Sequence, residues 1–282
     1  HNFAVNLLSL GRAGEALPLS ESALAMDKRL YGDRDHPALA SSLNVVASCL
    51  ESLGRASEAL PRYESALAMR GRLHGDRNHP DVPKSLNSVA NCLSSLGRAG
   101  EALPHYESAL TMSKRLYGDR DHPEFVVQLG NFATCLESLG RLGEALPLQE
   151  SALVVSRRLY GHRDHPNVAA RLRAVAGCLV SLGRAGEAMP QFESALAMSR
   201  RLHGDRDHPD VALSLNGVGA CLQAVGRSSE ARSHGKSALA MWTTLSFSLG
   251  AICSLIAGFV GMWISIRSNV RTAAAARTSL NG

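Results

Sequence analysis

Aromatic side chains are scarce, 5% of the sequence, and they do not alternate with clustered lysine and arginine. A nucleic-acid surface needs that combination of basic stripe and stacking rings. Here the 30 basic and 25 acidic residues are interspersed despite a formal charge of +5, so no nucleic acid is expected as a partner. Catalytic signatures are missing as well. There is no His-Glu-x-x-His helix to hold zinc and no Gly-x-Ser-x-Gly turn to present a nucleophile. Gly235-Lys236-Ser237 ends like a phosphate loop, but Glu230 stands where that loop requires glycine, and Gly217-Val218-Gly219 lacks a third glycine. The visible sequence is therefore expected not to be an enzyme and to need no cofactor.

Cysteines are few, and their placement excludes a disulfide framework. Five of the six, Cys49, Cys92, Cys135, Cys178 and Cys221, recur in register. Two helix layers between successive copies exceed the roughly 7 Å that a disulfide spans between Cα atoms. They read as small buried side chains kept reduced, with Cys253 left over near the C-terminus.

What the sequence has in abundance is itself. Glycine follows leucine or valine and precedes arginine at Gly11, Gly54, Gly97, Gly140, Gly183 and Gly226, always 43 residues apart, and His-Pro keeps the same beat from His36 to His208. A fixed period of this size is the mark of a stacked repeat array. Each unit reads as two helices. Leu39, Leu43, Val46, Ala47, Leu50 and Leu53 lie three and four apart, with Pro37 at the start and Gly54 as the stop. The second helix begins near Ser57 with Pro61 in about its first turn, carries Ala59, Leu60, Tyr63, Ala66, Leu67 and Leu73 on its apolar side, and ends at Gly75. Units run 38–80, 81–123, 124–166 and 167–209, flanked by a partial one at 1–37 and a last one at 210–244. His1 aligns with Asn44, so the sequence opens mid-repeat and reads as a fragment. In the last unit Arg232 and Gly235 replace the counterparts of Leu60 and Tyr63, as at a capping edge.

The succession Leu/Val-Ala-x-x-Leu, Leu-Gly-Arg, Glu-Ala-Leu and Ser-Ala-Leu resembles the tetratricopeptide repeat, and the loop Gly-Asp-Arg-Asp-His-Pro resembles the longer kinesin-light-chain type. The resemblance covers 1–244, about six units. It implies an all-α fold, a right-handed superhelical solenoid of helical hairpins, whose first helices line a concave groove for a protein or peptide. The family's Leu-Asn-Asn-Leu-Ala motif lines that groove. Asn44, Asn87 and Asn216 match its first asparagine and Asn131 its second, whereas Gly130 and Arg173 depart from it. On the face opposite the apolar stripe the candidate groove residues are Asn44, Lys84, Asn87, Asn91, Asn131, Arg173 and Asn216, since side-chain amides both donate to and accept from an extended backbone.

From Ser237 to Ile266 no residue is charged, and Leu245–Ile266 is apolar apart from four serines. As a helix, this stretch would span about 33 Å, enough for a ~30 Å hydrocarbon core. Trp242 and Trp263 near its ends, followed by Arg267 and Arg271, suit interfacial anchoring. The expectation is a C-terminal transmembrane helix at 245–266 and a short basic tail at 267–282, with the repeats in the cytosol. The alternative is a greasy helix that closes the solenoid. Gly250, Ser254 and Gly258 are spaced four apart, which suits a lateral dimer through that helix. Two other readings stand beside the tethered scaffold. One is a kinesin-light-chain-like cargo adaptor, although no heptad coiled coil is visible. The other is the regulatory region of a larger enzyme with its catalytic domain upstream.

The His-Pro histidines sit next to Asp33, Asp76, Asp119 and Asp205, with His162 breaking the pattern. A metal ion needs several ligands within a few ångströms, whereas these histidines come one per unit. They are assigned to loop packing and helix capping, and no metal is expected.

Overall fold

The recurring punctuation turns directly into helix boundaries. In the computed structural model, residues 2–237 are described apart from 33, 76–78, 119, 162, 205–207, 228, 232 and 234–235. They form α1 (Asn2–Ser9), α2 (Ala13–Tyr31), α3 (Pro37–Ser52), α4 (Ala56–His74), α5 (Asp81–Ser95), α6 (Ala99–Tyr117), α7 (Pro123–Ser138), α8 (Leu142–Tyr160), α9 (Pro166–Ser181), α10 (Ala185–His203) and α11 (Pro209–Ala224). Odd-numbered helices are the first of each unit and even-numbered ones the second. Each packs on its neighbours in sequence, and first helices also touch one another, α5 against α7, α7 against α9 and α9 against α11.

The hairpin turn inside a unit is Leu-Gly-Arg. At Gly54 φ is +75°, a left-handed conformation that carries no steric penalty without a Cβ. Arg55 N–H then reaches back to the Leu50 carbonyl at 2.8 Å, closing the helix end. The arginine side chain also serves the next helix. Its guanidinium forks onto the glutamate three residues later, as in Arg55 to Glu58 at 2.7 Å, and the same pair recurs from Arg12–Glu15 to Arg227–Glu230. That places a carboxylate in the first turn of each second helix, at the positive end of its dipole.

Every second helix has an interior proline. Pro61 is the sixth residue of α4, so it lies in the second turn rather than the first. The missing N–H would have served the carbonyl of Ser57, and at the other copies that acceptor belongs to Gly14, Gly100, Gly143 or Gly186. All five prolines face solvent, so the released carbonyl stays hydrated.

The core is built from small and branched aliphatic side chains. Ala47, Ala59, Ala66, Val46 and Cys49 are fully enclosed, and Leu50 is 1% exposed. Burying each leucine is worth about 1.5–3 kcal/mol, and since neighbouring units bury it, stability is shared along the stack. Leu53 departs from the expected stripe. It is the residue that ends α3, and it is 41% exposed. The five cysteines in register are free and buried, with Cys92 Sγ donating to the Ala56 carbonyl at 3.2 Å and Cys135 Sγ to that of Ala99 at 3.4 Å. The thiol therefore ties α5, α7 and α9 to the start of the second helix before each. Burial pushes the Cys92 thiol up to about 11, with Glu51 and Glu64 adding to the shift.

Arg232 and Gly235, with the whole of 245–282, lie outside the described residues. Among the described residues no helix is long and apolar enough to cross a membrane.

Candidate functional site

Each first helix from α3 onward is launched by a histidine. The Nδ1 of His36, His122, His165 and His208 accepts the backbone N–H two residues on at 3.2 Å, and that of His79 does so at 3.3 Å. An imidazole nitrogen thus does the work usually given to a hydroxyl or carboxylate cap. The ring stacks on the residue five positions earlier, with centroids 3.3–3.8 Å apart: Tyr31, Tyr117 and Tyr160 in three turns, His74 and His203 in the other two. Capping and loop packing are what the sequence led us to expect. Separation by one unit also holds between turns, but within two of them a second imidazole is brought close. Burial lowers the pKa of His208, and neighbouring His203 lowers it further against the pull of Asp210.

The seven groove candidates divide. Lys84 and Asn216 are exposed, as expected of a solvated face. Asn87 is 7% exposed, and its Oδ1 accepts from Asn131 Nδ2 at 3.4 Å, so these two bridge α5 and α7. Asn91 is engaged within its own unit, its Oδ1 accepting from the Tyr106 hydroxyl at 2.6 Å. Arg173 donates from Nη2 to Asp210 at 2.9 Å, while its Nη1 is buried without a partner. Asn44 is half-buried, and its Oδ1 has no partner among the described residues. The face opposite the apolar stripe is therefore only partly solvated, because successive first helices close over its edges.

Sequence reasoning missed Arg171. Its copies are Ser42, Ser85, Gln128 and Ser214, each 2% exposed or less, so a guanidinium in that register has no room to lie flat. It reaches across to α7 instead, where Nη1 occupies the space that a side chain on Gly130 would need. Glycine at 130, which breaks the asparagine row, is what admits it. Burial lowers the Arg171 pKa, and nearby Arg173 lowers it further. No carboxylate neutralises Arg171 among the described residues. The signal was a charged residue standing at a serine position of the period. Arg70, in the second helix of its unit, gives the same signal where Ser113, Ser156 and Ser199 recur, and it is satisfied internally by donating to Ser85.

Away from this face, two open clefts of about 540 and 610 Å³ lie along the turns. Arg157, Arg158 and Arg163 line the first, and Lys114, Arg120 and Arg158 contribute to the second. Arg158 spans them, paired with Asp121 at 2.9 Å.

Comparison with known proteins bears on this geometry. A tetratricopeptide repeat model matches residues 1–72 and 124–201, and a second tetratricopeptide repeat model matches 84–124. The chain belongs to the tetratricopeptide repeat family. Among solved structures, a Podosopora anserina repeat protein described as a putative kinesin light chain with nearly identical TPR-like repeats is 21% identical, covering 75% of this chain and 99% of its own, with a TM-score of 0.65. BtubC from P. vanneervenii is 22% identical over 83% of this chain and 92% of its own, with a TM-score of 0.69. These likenesses concern the fold. Residues 210–282 match a different family, inorganic H+ pyrophosphatase. In keeping with that, 37 residues, 13% of this chain, are 62% identical to pyrophosphate-energized membrane proton pump 3 of Arabidopsis thaliana, a match that spans 5% of the pump's length. The tetratricopeptide array thus leads into sequence of another kind.

Proposed function

We propose that this chain is a membrane-tethered scaffold that binds a protein or peptide on the face of its first helices and has no catalysis of its own. The observation that carries the reading is the uncompensated polarity of that face: Arg171 with no carboxylate, Arg173 with a buried unpaired Nη1, and the unpartnered Oδ1 of Asn44. Such groups are costly unless a ligand completes them. A peptide bearing a carboxylate at the α7/α9 step would do so, with Asn44, Asn87 and Asn131 facing its backbone. Arg171→Gln should reduce selection of acidic peptides from a displayed library at least severalfold with unchanged helicity. Equal selection by both forms would move the site off this face.

Tethering through Leu245–Ile266 is supported by its uncharged run and by the pyrophosphatase likeness of 210–282. Alkaline extraction of membranes from cells expressing the chain with and without 246–282 tests it. Retention of the full chain alone supports a span, and release of both forms favours a soluble adaptor. The same likeness favours a second reading, in which the repeats regulate or recruit partners to a proton-pumping pyrophosphatase to which they are joined. Co-purification of pyrophosphatase activity with the repeats, abolished when 246–282 is removed, would support that reading over a free-standing scaffold. A cytosolic position for the repeats and a lateral dimer through Gly250, Ser254 and Gly258 belong to the same proposal.

A further inference from the structure

We propose that two of the turns between units, His74–His79–Asp81 and His203–His208–Asp210, are binding sites for a divalent transition-metal ion of the zinc class. All five turns use the same frame of a capping histidine under a stacked ring. In the three turns where the ring is tyrosine, the residue two past the histidine is Ala38, Glu124 or Asn167. In the two where it is histidine, that residue is aspartate both times, and aspartate occurs there in no other turn. The two changes that create ligands come together. Stacking alone does not call for the pairing, since tyrosine stacks equally closely.

The donor atoms of each trio lie within 4.8 Å of one another. Asp210 Oδ2 is 3.5 Å from His203 Nε2 and 3.8 Å from His208 Nδ1, and Asp81 Oδ2 is 3.8 Å from His79 Nδ1. Ligands about 2.0–2.2 Å from a tetrahedral ion are separated by roughly 3.3–3.5 Å, so little contraction is required. His203 Nε2 is buried and has no hydrogen-bond partner among the described residues. Arg173 occupies Asp210 Oδ1 and leaves Oδ2 facing the histidines. Because a metal lies in the plane of each imidazole, one ring of each stacked pair must turn. The Nδ1 that now accepts a backbone N–H would exchange that bond for the metal.

Two imidazoles and one carboxylate, with water completing the shell, suit zinc, cobalt, nickel or copper, whereas magnesium and calcium favour oxygen-only shells. The helix dipoles do not oppose the charge. His203 ends α10 and Asp210 lies in the first turn of α11, so negative and positive helix ends face the site together. At the other turn Asn44 stands in the register of Arg173, and the cation nearest Asp81 is Arg70, which donates to Ser85.

The test is titration of the full chain in detergent with Co2+, read by its visible absorption and by equilibrium dialysis, with Zn2+ as competitor. Tyrosine is the residue that three other turns carry at this position, so His74→Tyr and His203→Tyr retain the stack and the helix cap while removing one donor. The expected result is uptake of two ions per chain, one lost in each single variant and both weakened roughly tenfold or more in the double variant. Circular dichroism should be unchanged throughout. Absence of uptake by the full chain at ~100 μM ion, or two ions retained by the double variant, overturns the proposal.

Discussion

At the level of single residues, the period shows where side chains stand but not what they touch. Gly217 sits in α11 against the ring of Phe192, whose Cε1 fills the place a Cβ would take. In the sequence it belongs to a weak Gly-Val-Gly pattern that carries no function, and only packing gives it a role. Gly177, in α9, has open space in the same direction. Replacing a helical glycine by alanine ordinarily stabilises by about 0.5–1 kcal/mol, whereas overpacking costs about 1–3 kcal/mol. Gly177→Ala should therefore raise the urea midpoint and Gly217→Ala lower it, and a rise in both would show that Phe192 gives way freely. Arg171 and Gly130 illustrate the same limit. Each looks like an isolated departure from the repeat, and their complementarity appears only when α7 and α9 are side by side. The cysteines are the reverse case, since a short thiol in register late in each first helix already announced burial. With Cys253 replaced by alanine, the native chain should show no fast-reacting thiol, and reaction with a disulfide reagent should begin only with unfolding. Prompt modification would contradict the raised thiol pKa values at Cys49, Cys92, Cys135, Cys178 and Cys221.

At the level of helices, boundaries were legible because each rests on local chemistry. Proline starts α3, α7, α9 and α11, and left-handed glycine ends each hairpin turn. The cap itself was legible as a role, though not as a ring stacked on the residue five earlier. His165 shows both parts: its Nδ1 receives Asn167 N–H, and its ring lies 3.5 Å from that of Tyr160. His165→Ala should destabilise by about 1–2 kcal/mol through loss of cap and stack. His165→Asp, which restores an acceptor without a ring, should recover part of that loss. A full recovery would mean that the stack contributes nothing. The interior prolines lie one residue deeper than the sequence suggested, because the helix begins at Ala56 rather than near Ser57.

At the level of the whole molecule, layers are joined by apolar burial and by exposed ion pairs that the period disguises. Arg72 reaches Asp35 and Arg201 reaches Asp164, each at 2.7 Å or less and 37 residues apart, tying the end of a second helix to the turn of the layer before. These arginines hold Asp35 and Asp164 below the usual aspartate value, as Arg12, Arg55, Arg98, Arg141 and Arg184 hold Glu15, Glu58, Glu101, Glu144 and Glu187 below the usual glutamate value. A carboxylate whose pKa is lower folded than unfolded adds stability above its unfolded value and loses it as pH falls through the folded one. The thermal midpoint should therefore fall as pH drops from about 5 to 3. All these groups are exposed, so salt should screen the contribution, and ~0.5 M sodium chloride should flatten the pH dependence. A midpoint that falls equally in low and high salt would assign the acid sensitivity to contacts other than these pairs, leaving the arginine forks to set turn geometry alone.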